Sequence, residues 1–232
     1  EWEYAYQNRI GQSNWQTFGL VADGLFQSQE EIDAWPTQKF GEVKPGDIRY
    51  IDINGDGVVD DYDKKPIGFP DVPEISYGFG ASVRWKGFDV SIFFQGIDNV
   101  NFFINNSYTQ PFIANKTRHS NVFADLYGNY WTEDNRDAKY PRLTIGSNTN
   151  NNQASTFWMV DGRYIRLKNA EIGYTLPKRI TNRAHIDRLR IYVSGVNLLT
   201  FSPFKLWDPD LQTGAAGYPN NRVYNIGATL VF

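Results

Sequence analysis

The chain has 232 residues, enough for one large all-β domain or two smaller ones, and 16% of them are aromatic. Its formal net charge of −3 implies no nucleic acid or other polyanionic partner. The absence of cysteine excludes a disulfide framework and a thiol site, and no apolar run is long enough for a transmembrane helix. The mean hydropathy of −0.50 still allows a membrane barrel, because polar lumen residues and large loops dilute its apolar face.

The first part of the chain is predicted to combine a strand, a short helix and a long loop. Alternating aromatic residues predict a strand over 1–10. Ser28 and the acidic residues after it predict a short capped helix that ends before Pro36. Residues 45–73 are rich in turn-forming residues and predict a loop. Because residue 1 falls within a predicted strand, we expect the sequence to be part of a longer chain.

Two strands joined by a tight turn follow this loop. In 76–85 and in 88–95, apolar side chains alternate with small or polar ones. This is the period of a strand that has one face in an apolar medium. Lys86-Gly87 between the two strands predicts a two-residue hairpin turn.

Three further strands are predicted in the second half of the chain. They cover 163–176, 188–200 and 222–232. The apolar parity changes within the first of them, which predicts a β-bulge near Lys168-Asn169. The last strand carries a long apolar row and needs a partner. Closure of the sheet into a barrel supplies one, because a barrel has no free edges.

The connections between these strands alternate in length. Those at 86–87 and 177–187 are short, whereas 11–73, 97–157 and 201–221 are long. Short periplasmic turns and long extracellular loops are typical of a transmembrane β-barrel, whose strands of about 9–11 residues cross a bilayer when tilted. The pattern therefore predicts an all-β fold, a segment of an antiparallel transmembrane barrel with the three long connections outside the cell.

In such a barrel one face of every strand meets lipid. The residues predicted to do so are Phe79, Val83, Ile92, Phe94, Ile172, Ile191 and Ile226. The same alternation also occurs in a soluble β-sandwich, which buries these side chains between two sheets. The alternative prediction is therefore a secreted, calcium-stabilised β-sandwich that serves as a glycan-binding or adhesion module.

Residues 52–63 match a twelve-residue calcium-binding loop. The predicted oxygen ligands are Asp52, Asn54, Asp56, the carbonyl of Val58, Asp60 and Asp63. Gly57 at position six allows the sharp turn, and hard oxygen ligands at this spacing suit Ca²⁺. Asp63 stands where an EF-hand has Glu, so the coordination number stays open. Since no long amphipathic helices flank the loop, we expect Ca²⁺ to staple it; the alternative is an acidic turn without metal.

Aromatic residues in or beside the long loops are candidates for binding a substrate or a partner. They are Trp131, Trp158, Trp207, Tyr108 and Tyr130. Exposed rings stack on sugars and anchor protein partners, whereas rings that pack a loop on itself have no such role. Carboxylate clusters at 30–31, 133–134 and 208–210 have no fixed acid–base geometry. With no catalytic triad, phosphate loop or zinc pattern in the sequence, we expect no enzymatic activity.

Several stretches, in a fixed order, resemble one family. They are Asp23-Gly24-Leu25-Phe26 with 27–32, Pro45-Gly46-Asp47-Ile48-Arg49-Tyr50 with 52–57 and Ile67-Gly68, Tyr164-Ile165-Arg166-Leu167-Lys168-Asn169 with 173–177, Asn197-Leu198-Leu199-Thr200-Phe201 with Asp208-Pro209-Asp210, and the terminal Phe232. No single stretch is decisive. In this order and spacing, over 1–232, they resemble the carboxy-terminal part of a SusC/RagA-type TonB-dependent outer-membrane transporter.

The resemblance implies a plugged barrel of about 22 strands in the outer membrane of a Gram-negative cell. This chain would contribute carboxy-terminal strands and extracellular loops, whereas the plug and the TonB-contacting segment lie amino-terminal in this family and outside this chain. The resemblance further implies the import of oligosaccharides or peptides with energy passed on by TonB, and a SusD-like lipoprotein as a lid. Substrate-contacting residues are not carried by a shared motif.

Overall fold

A computed structural model describes residues 3–106, 109–112, 123–213 and 217–232. The chain divides into two compact units, which we call the loop unit and the sheet unit. The loop unit comprises Glu1–Val72, Val100–Asp161 and Gln212–Ala215. The sheet unit comprises Pro73–Asn99, Gly162–Leu211 and Ala216–Phe232.

Strands are the main regular elements of both units, although those of the loop unit are short. In chain order they are β1 (Phe18–Gly19), β2 (Ala22–Leu25), β3 (Thr37–Gln38), β4 (Ile48–Tyr50), β5 (Val58–Val59), β6 (Lys65–Pro66), β7 (Ile75–Trp85), β8 (Phe88–Asp98), β9 (Asn101–Phe103), β10 (Met159–Asp161), β11 (Tyr164–Thr175), β12 (Arg188–Phe201) and β13 (Val223–Val231). The helices are α1 (Gln29–Ala34) and α2 (Lys178–Thr181), with 3-10 helices at Ala5–Gln7, Asp61–Asp63, Asn182–Ala184 and Pro209–Leu211. Among the described residues, the helices are all too short and too polar to cross a membrane.

The sheet unit is built on one five-stranded antiparallel sheet. Its strand order is β13-β12-β11-β8-β7, so β7 and β13 form the two edges. The five strands predicted from the alternation are confirmed, with small shifts at their ends. The predicted hairpin is also confirmed. Lys86 and Gly87 have φ angles of 47° and 90°, the left-handed conformations that a tight two-residue turn requires.

A β-bulge in β11 keeps the apolar residues of this strand on one face of the sheet. The pairing of β11 with β8 and with β12 shifts register between Leu167 and Asn169, which confirms the predicted bulge. Before the shift Leu167 pairs with Phe94, and after it Ala170 pairs with Ile92. All four apolar residues lie on the same face, because the extra residue moves the alternation by one position.

One face of the sheet is apolar and exposed. A central row of five apolar residues crosses every strand: Val83, Val90, Ile172, Val193 and Ile226. The residues predicted to meet lipid all lie on this face. Val83 is 64% and Ile226 is 82% exposed, and of the predicted set only Phe94 is half-buried. A β-sandwich would bury these side chains under a second sheet, so the β-sandwich prediction does not describe this face.

The opposite face of the sheet carries a charged bridge across three strands. Arg190 on β12 forms ion pairs with Asp89 on β8 and with Glu171 on β11. Gly173 on β11 leaves room for this reach, since a Cβ there would lie 2.4 Å from Nη2 of Arg190. The sheet therefore has one apolar face and one polar, ion-paired face.

The loop unit is held by short strand pairs around a mixed core. β1 pairs with β6, β2 with β4 and β9 with β10 in antiparallel fashion, and β3 pairs with β5 in parallel. Its fully buried apolar side chains include Leu20, Phe26, Tyr50, Phe102 and Trp158. Burial raises the pKa of the Tyr50 hydroxyl, which donates to the carbonyl of Asn150 at 2.9 Å. Polar side chains are thus part of this core.

The strand predicted over 1–10 is wrong for the described residues 3–10. They contain the 3-10 helix Ala5–Gln7 instead. The rings of Tyr4 and Tyr6 stack on each other with centroids 5.5 Å apart, and the Tyr6 hydroxyl donates to the carbonyl of Tyr62 at 2.7 Å. The alternate spacing of these aromatic residues therefore reflects their contacts with one loop and not the alternation of a strand.

Helix α1 follows its predicted signals. The Ser28 side chain accepts a hydrogen bond from the Glu31 backbone N–H, and the Glu31 carboxylate accepts one from the backbone N–H of Gln27. This reciprocal arrangement satisfies backbone donors at the helix start. Trp35 ends the helix directly before Pro36, as predicted.

Candidate functional site

The predicted calcium loop 52–63 folds around its own backbone amides. The Asp52 carboxylate accepts hydrogen bonds from the N–H groups of Gly55 at 2.7 Å and Gly57 at 2.8 Å. Asn54 Oδ1 accepts from Asp56 N–H, and Asp56 Oδ1 accepts from Val58 N–H. Gly57 has φ of +84°, so the sharp turn predicted at position six is present. The loop is therefore a tight coil in which side-chain oxygens accept hydrogen bonds from the loop's own N–H groups.

Asp63 closes the loop from its last position. It is fully buried, and its two carboxylate oxygens accept from Ile53 N–H at 2.7 Å and from Asp60 N–H at 2.8 Å. It also forms a capping box with Asp60 on the 3-10 helix Asp61–Asp63. A shorter Asp in place of Glu thus ties the end of the loop directly to its beginning.

The amino-terminal residues cover this loop. Tyr4 Oη accepts from Asn54 Nδ2 at 3.2 Å, and the Tyr4 ring packs edge-on against Tyr62. Burial raises the pKa of Tyr6, and the negative charges of Asp63, Asp52 and Asp56 raise it further. The Tyr6 phenol therefore lies near enough to Asp63, Asp52 and Asp56 for their charges to affect its pKa.

The donor chemistry of the loop suits Ca²⁺, although its carboxylates do not form a compact cluster. Within the described residues, no group of three or more His, Cys, Asp or Glu side chains is placed to hold a metal ion. The oxygens of Asp52 and Asp56 point at backbone N–H groups. Each carboxylate offers about four lone-pair sites, so these hydrogen bonds leave acceptor capacity for a cation.

Two of the family-like stretches meet in an ionic clamp within the loop unit. Arg49 forms ion pairs with Asp23 at 2.8 Å and with Glu31. Its guanidinium also lies over the Trp35 ring, 4.6 Å from the centroid. Of the carboxylate cluster at 30–31, Glu31 is therefore a structural anchor, whereas Glu30 is exposed.

Asp47, which is fully buried, is the centre of a second clamp that sequence reasoning missed. Its carboxylate accepts from Asn148 Nδ2 at 2.8 Å, from Asn151 Nδ2 at 2.9 Å and from Lys44 N–H at 2.8 Å, and it pairs with Arg142. The sequence signal for this clamp was Asp47 within a stretch of family resemblance, but its partners lie about a hundred positions away.

The structure explains why position 46, next to Asp47, is a glycine. It has φ of +87°, and a Cβ there would lie 2.4 Å from the Trp131 ring. Trp131 packs against the glycine backbone, and its indole N–H donates to Gln27 Oε1 at 3.2 Å. The ring thus joins the two family-like stretches that flank it in space.

A third clamp fastens the long connection 201–221 to the sheet. Arg166 on β11 is 2% exposed and pairs with Asp208 and, at 2.7 Å, with Asp210. Its Nε donates to Thr200 Oγ1 at 2.9 Å, and Asn220 Nδ2 donates to Asp210 at 2.7 Å. The carboxylates at 208–210 are therefore occupied by a buried guanidinium.

The aromatic residues predicted to bind a substrate or a partner differ in their burial and in their contacts. Trp158 is fully buried, and its indole N–H donates to the carbonyl of Asn151 at 2.6 Å. Trp131 is buried as well, so both rings pack the loop unit and present no free face. Tyr130 is half-buried and bridges to Tyr140. Tyr108 lies outside the described residues.

Trp207 is the binding candidate that lines a cleft. This cleft lies at the loop end of the polar sheet face and has a volume of about 320 Å³. Trp207 packs edge-on against Phe204, and Lys205 and Arg222 also line the cleft. Of the four candidate rings that the structure describes, Trp207 thus has the setting that a ligand could use.

Comparison with solved structures defines the class of fold. The sheet and loops are similar to the RagAB peptide transporter, with a TM-score of 0.67 and 23% identity over 93% of this chain and 22% of that chain. The RagAB peptide importer in its open-open state gives a TM-score of 0.64 at 22% identity, over 94% of this chain and 22% of that chain. At these identities the likeness establishes the fold.

Curated relatives then identify the family. The TonB-dependent receptor P3 of Formosa agariphila is 29% identical over 97% of this chain and 23% of that receptor. The TonB-dependent receptor SusC of Bacteroides thetaiotaomicron is 23% identical over 92% of this chain and 20% of that receptor. No family model matches the chain. The chain is homologous to SusC/RagA-type TonB-dependent receptors over most of its length, as the ordered stretches predicted.

The matched region is a small part of each relative. The chain spans about a fifth of the curated relatives that it matches. TonB-dependent receptors are non-enzymatic transporters of the outer membrane, in agreement with the predicted location and the predicted lack of catalysis.

Proposed function

We propose that the chain forms part of a TonB-dependent outer-membrane importer. Its five-stranded sheet would be barrel wall, and the connections 11–73, 97–157 and 201–221 would lie outside the cell. The observation that carries the proposal is the two-faced sheet, with exposed apolar rows on one side and ion pairs on the other. Transmembrane barrels place apolar residues toward lipid and polar residues toward the lumen.

The ends of the apolar face support this placement. Trp85, Phe88 and Tyr174 lie at the hairpin end, and Tyr77 and Phe201 lie at the loop end. Aromatic girdles at both interfaces are typical of outer-membrane barrels. The strands of the sheet have 9–14 residues, long enough to cross a bilayer when tilted.

The likeness to RagAB also supports a proposal for the cargo and the partners. The RagAB structures are those of a peptide importer, which favours peptides over oligosaccharides as the cargo of this receptor. A SusD-like lipoprotein would serve as its lid, and TonB would supply energy through the amino-terminal part of the receptor. Uptake of a labelled peptide that depends on both the receptor and TonB would support import. Equal uptake in cells without the receptor would contradict it.

A matched pair of arginine substitutions tests the membrane placement. Val193 and Ser194 are neighbours on β12, on the apolar and the polar face respectively. Arg at a lipid-facing midplane position costs about 2–4 kcal/mol. We expect Val193→Arg to reduce the amount of heat-modifiable receptor in the outer membrane strongly and Ser194→Arg to leave it near wild type. Equal tolerance of both substitutions would contradict a lipid-facing row.

We also propose that the loop 52–63 binds Ca²⁺ as a structural staple. Asp52, Asn54, Asp56, Asp60 and Asp63 would supply side-chain oxygens, and Val58 its carbonyl. The support is the ligand spacing, the sharp turn at Gly57 and the tight coil in which Asp52, Asn54 and Asp56 bind the loop's own N–H groups. Bound Ca²⁺ would offset the mutual repulsion of these carboxylates and hold the loop closed.

Calcium titration of the purified receptor tests the staple. A site filled at 100 times its Kd stabilises the folded state by about 2.7 kcal/mol. We expect Ca²⁺ to raise the melting temperature of the wild-type loop unit relative to EDTA, and the double variant Asp52→Asn/Asp56→Asn to abolish that shift. Asp137→Asn, an exposed acid of the same unit, is the control that should retain it. A wild-type protein without any calcium-dependent shift would refute the staple.

A further inference from the structure

The apolar face of the sheet ends in a groove at the start of the connection 201–221. Tyr77 on β7 and Phe201 on β12 lie at its sides, Ile165 on β11 lies between them, and Arg163 and Lys205 line its loop end. The groove has a volume of about 390 Å³. Its walls are apolar, and its cations are confined to the loop end.

Strand register explains why the groove forms there. Tyr77, Gly96, Ile165 and Phe201 make one row across four strands. Gly96 has no side chain, and the Tyr77 ring leans over it, since a Cβ at Gly96 would lie 2.5 Å from Tyr77 Oη. The row therefore has two large aromatic sides with smaller side chains between them.

The charges of the groove select the polar end of a ligand. Arg163 and Lys205 contribute two positive charges, and Asp98 contributes one negative charge. Lys205 is exposed, so its ammonium can reach the polar end of a ligand. Long basic side chains lay their apolar stems along such surfaces and extend the charge toward headgroups. A ligand with an apolar tail and an anionic head matches both ends of the groove.

We propose that this groove binds an anionic, phosphate-bearing lipid of the surrounding bilayer. An acyl chain lies between Tyr77 and Phe201, and the phosphate lies at Arg163 and Lys205. The inference rests on the proposed function, because the groove opens onto acyl chains only if the apolar face meets lipid. A water-soluble anion satisfies the cations but leaves the apolar walls exposed, which disfavours it as the occupant.

Native mass spectrometry of the intact receptor in detergent tests the site. The probes are phosphatidylglycerol, whose headgroup is anionic, and phosphatidylcholine, whose headgroup is zwitterionic. We expect one phosphatidylglycerol to be retained in preference to phosphatidylcholine. A basic residue near an anionic lipid surface contributes about 1 kcal/mol, so Lys205→Ala should weaken retention about fivefold and Lys205→Glu more strongly.

Lys178→Glu provides the matched control, since Lys178 is an exposed lysine at the other end of the sheet unit. Its retention of phosphatidylglycerol should equal that of wild type. Equal loss in Lys205→Glu and Lys178→Glu, or equal retention of the two lipids by wild type, would overturn the lipid site. Outer-membrane fractionation of each variant separates the two proposals. A receptor that inserts but lacks lipid selectivity overturns this inference alone, whereas a receptor that never inserts contradicts the proposed function.

Discussion

Replacement of Arg166 by Ala is expected to release the connection 201–221 from the sheet. The guanidinium is 2% exposed and neutralises Asp208 and Asp210 together. Its removal leaves two neighbouring carboxylates without a counter-ion in a partly dry site. Breaking a buried pair by removal of one partner costs about 3–5 kcal/mol, because the remaining charge is buried and uncompensated.

Limited proteolysis and urea unfolding of the detergent-solubilised receptor measure this effect. Arg166→Ala should make 202–213 the first cleavage site and lower the free energy of unfolding by about 3 kcal/mol or more. Arg222→Ala is the control, since Arg222 is exposed and lines the same cleft; it should change stability by less than about 0.5 kcal/mol. Adding Asp208→Asn and Asp210→Asn to Arg166→Ala should recover part of the loss. A loss in Arg166→Ala as small as in Arg222→Ala would show that the clamp does not hold the connection.

Asp47→Ala is expected to have a comparable effect on the loop unit. Asp47 is fully buried and binds side chains of Arg142, Asn148 and Asn151. Truncation removes the charge that Arg142 compensates and leaves the buried amide of Asn151 and the half-buried amide of Asn148 without their acceptor. Both consequences are costly in a low-dielectric interior, and together they are expected to cost about 3–5 kcal/mol.

Amide hydrogen exchange measures the loss of stability in Asp47→Ala and shows where in the chain it occurs. Protection should fall selectively in 142–151, while the strands of the sheet unit keep theirs. Asp47→Asn retains the shape but loses the charge and one acceptor, so its effect should be intermediate. Asp134→Ala, an exposed acid in the same unit, should leave exchange unchanged. Unaltered protection of 142–151 in Asp47→Ala would contradict the assigned role of this carboxylate.

The sheet could be predicted from the sequence because its determinants are local. Alternation with period two specifies both the strands and their faces, and a single parity change identified the bulge at Lys168. The same local pattern failed over 1–10. There Tyr4 and Tyr6 stack on each other and on the loop 52–63, a tertiary contact that mimics strand alternation.

The clamps could not be predicted because their partners are distant in sequence. Asp47 and Arg142 are 95 positions apart, and Arg166 and Asp208 are 42 positions apart. Ordered stretches of family resemblance marked several of these residues without revealing what they contact. The aromatic binding candidates were hard to judge for the same reason. The sequence shows that Trp131 and Trp158 lie in or beside long loops, but only the packing shows that both are buried.

The central claim is that one face of the sheet meets lipid and the other meets the lumen. Val90 and Ser91 are adjacent on β8 and lie on opposite faces, and the sequence contains no cysteine. Single variants Val90→Cys and Ser91→Cys, labelled with a fluorophore in the reconstituted receptor, can be compared for quenching by brominated lipids. Strong quenching at position 90 and little at position 91 is the predicted result. Equal quenching at both positions, or the reverse order, would contradict the account.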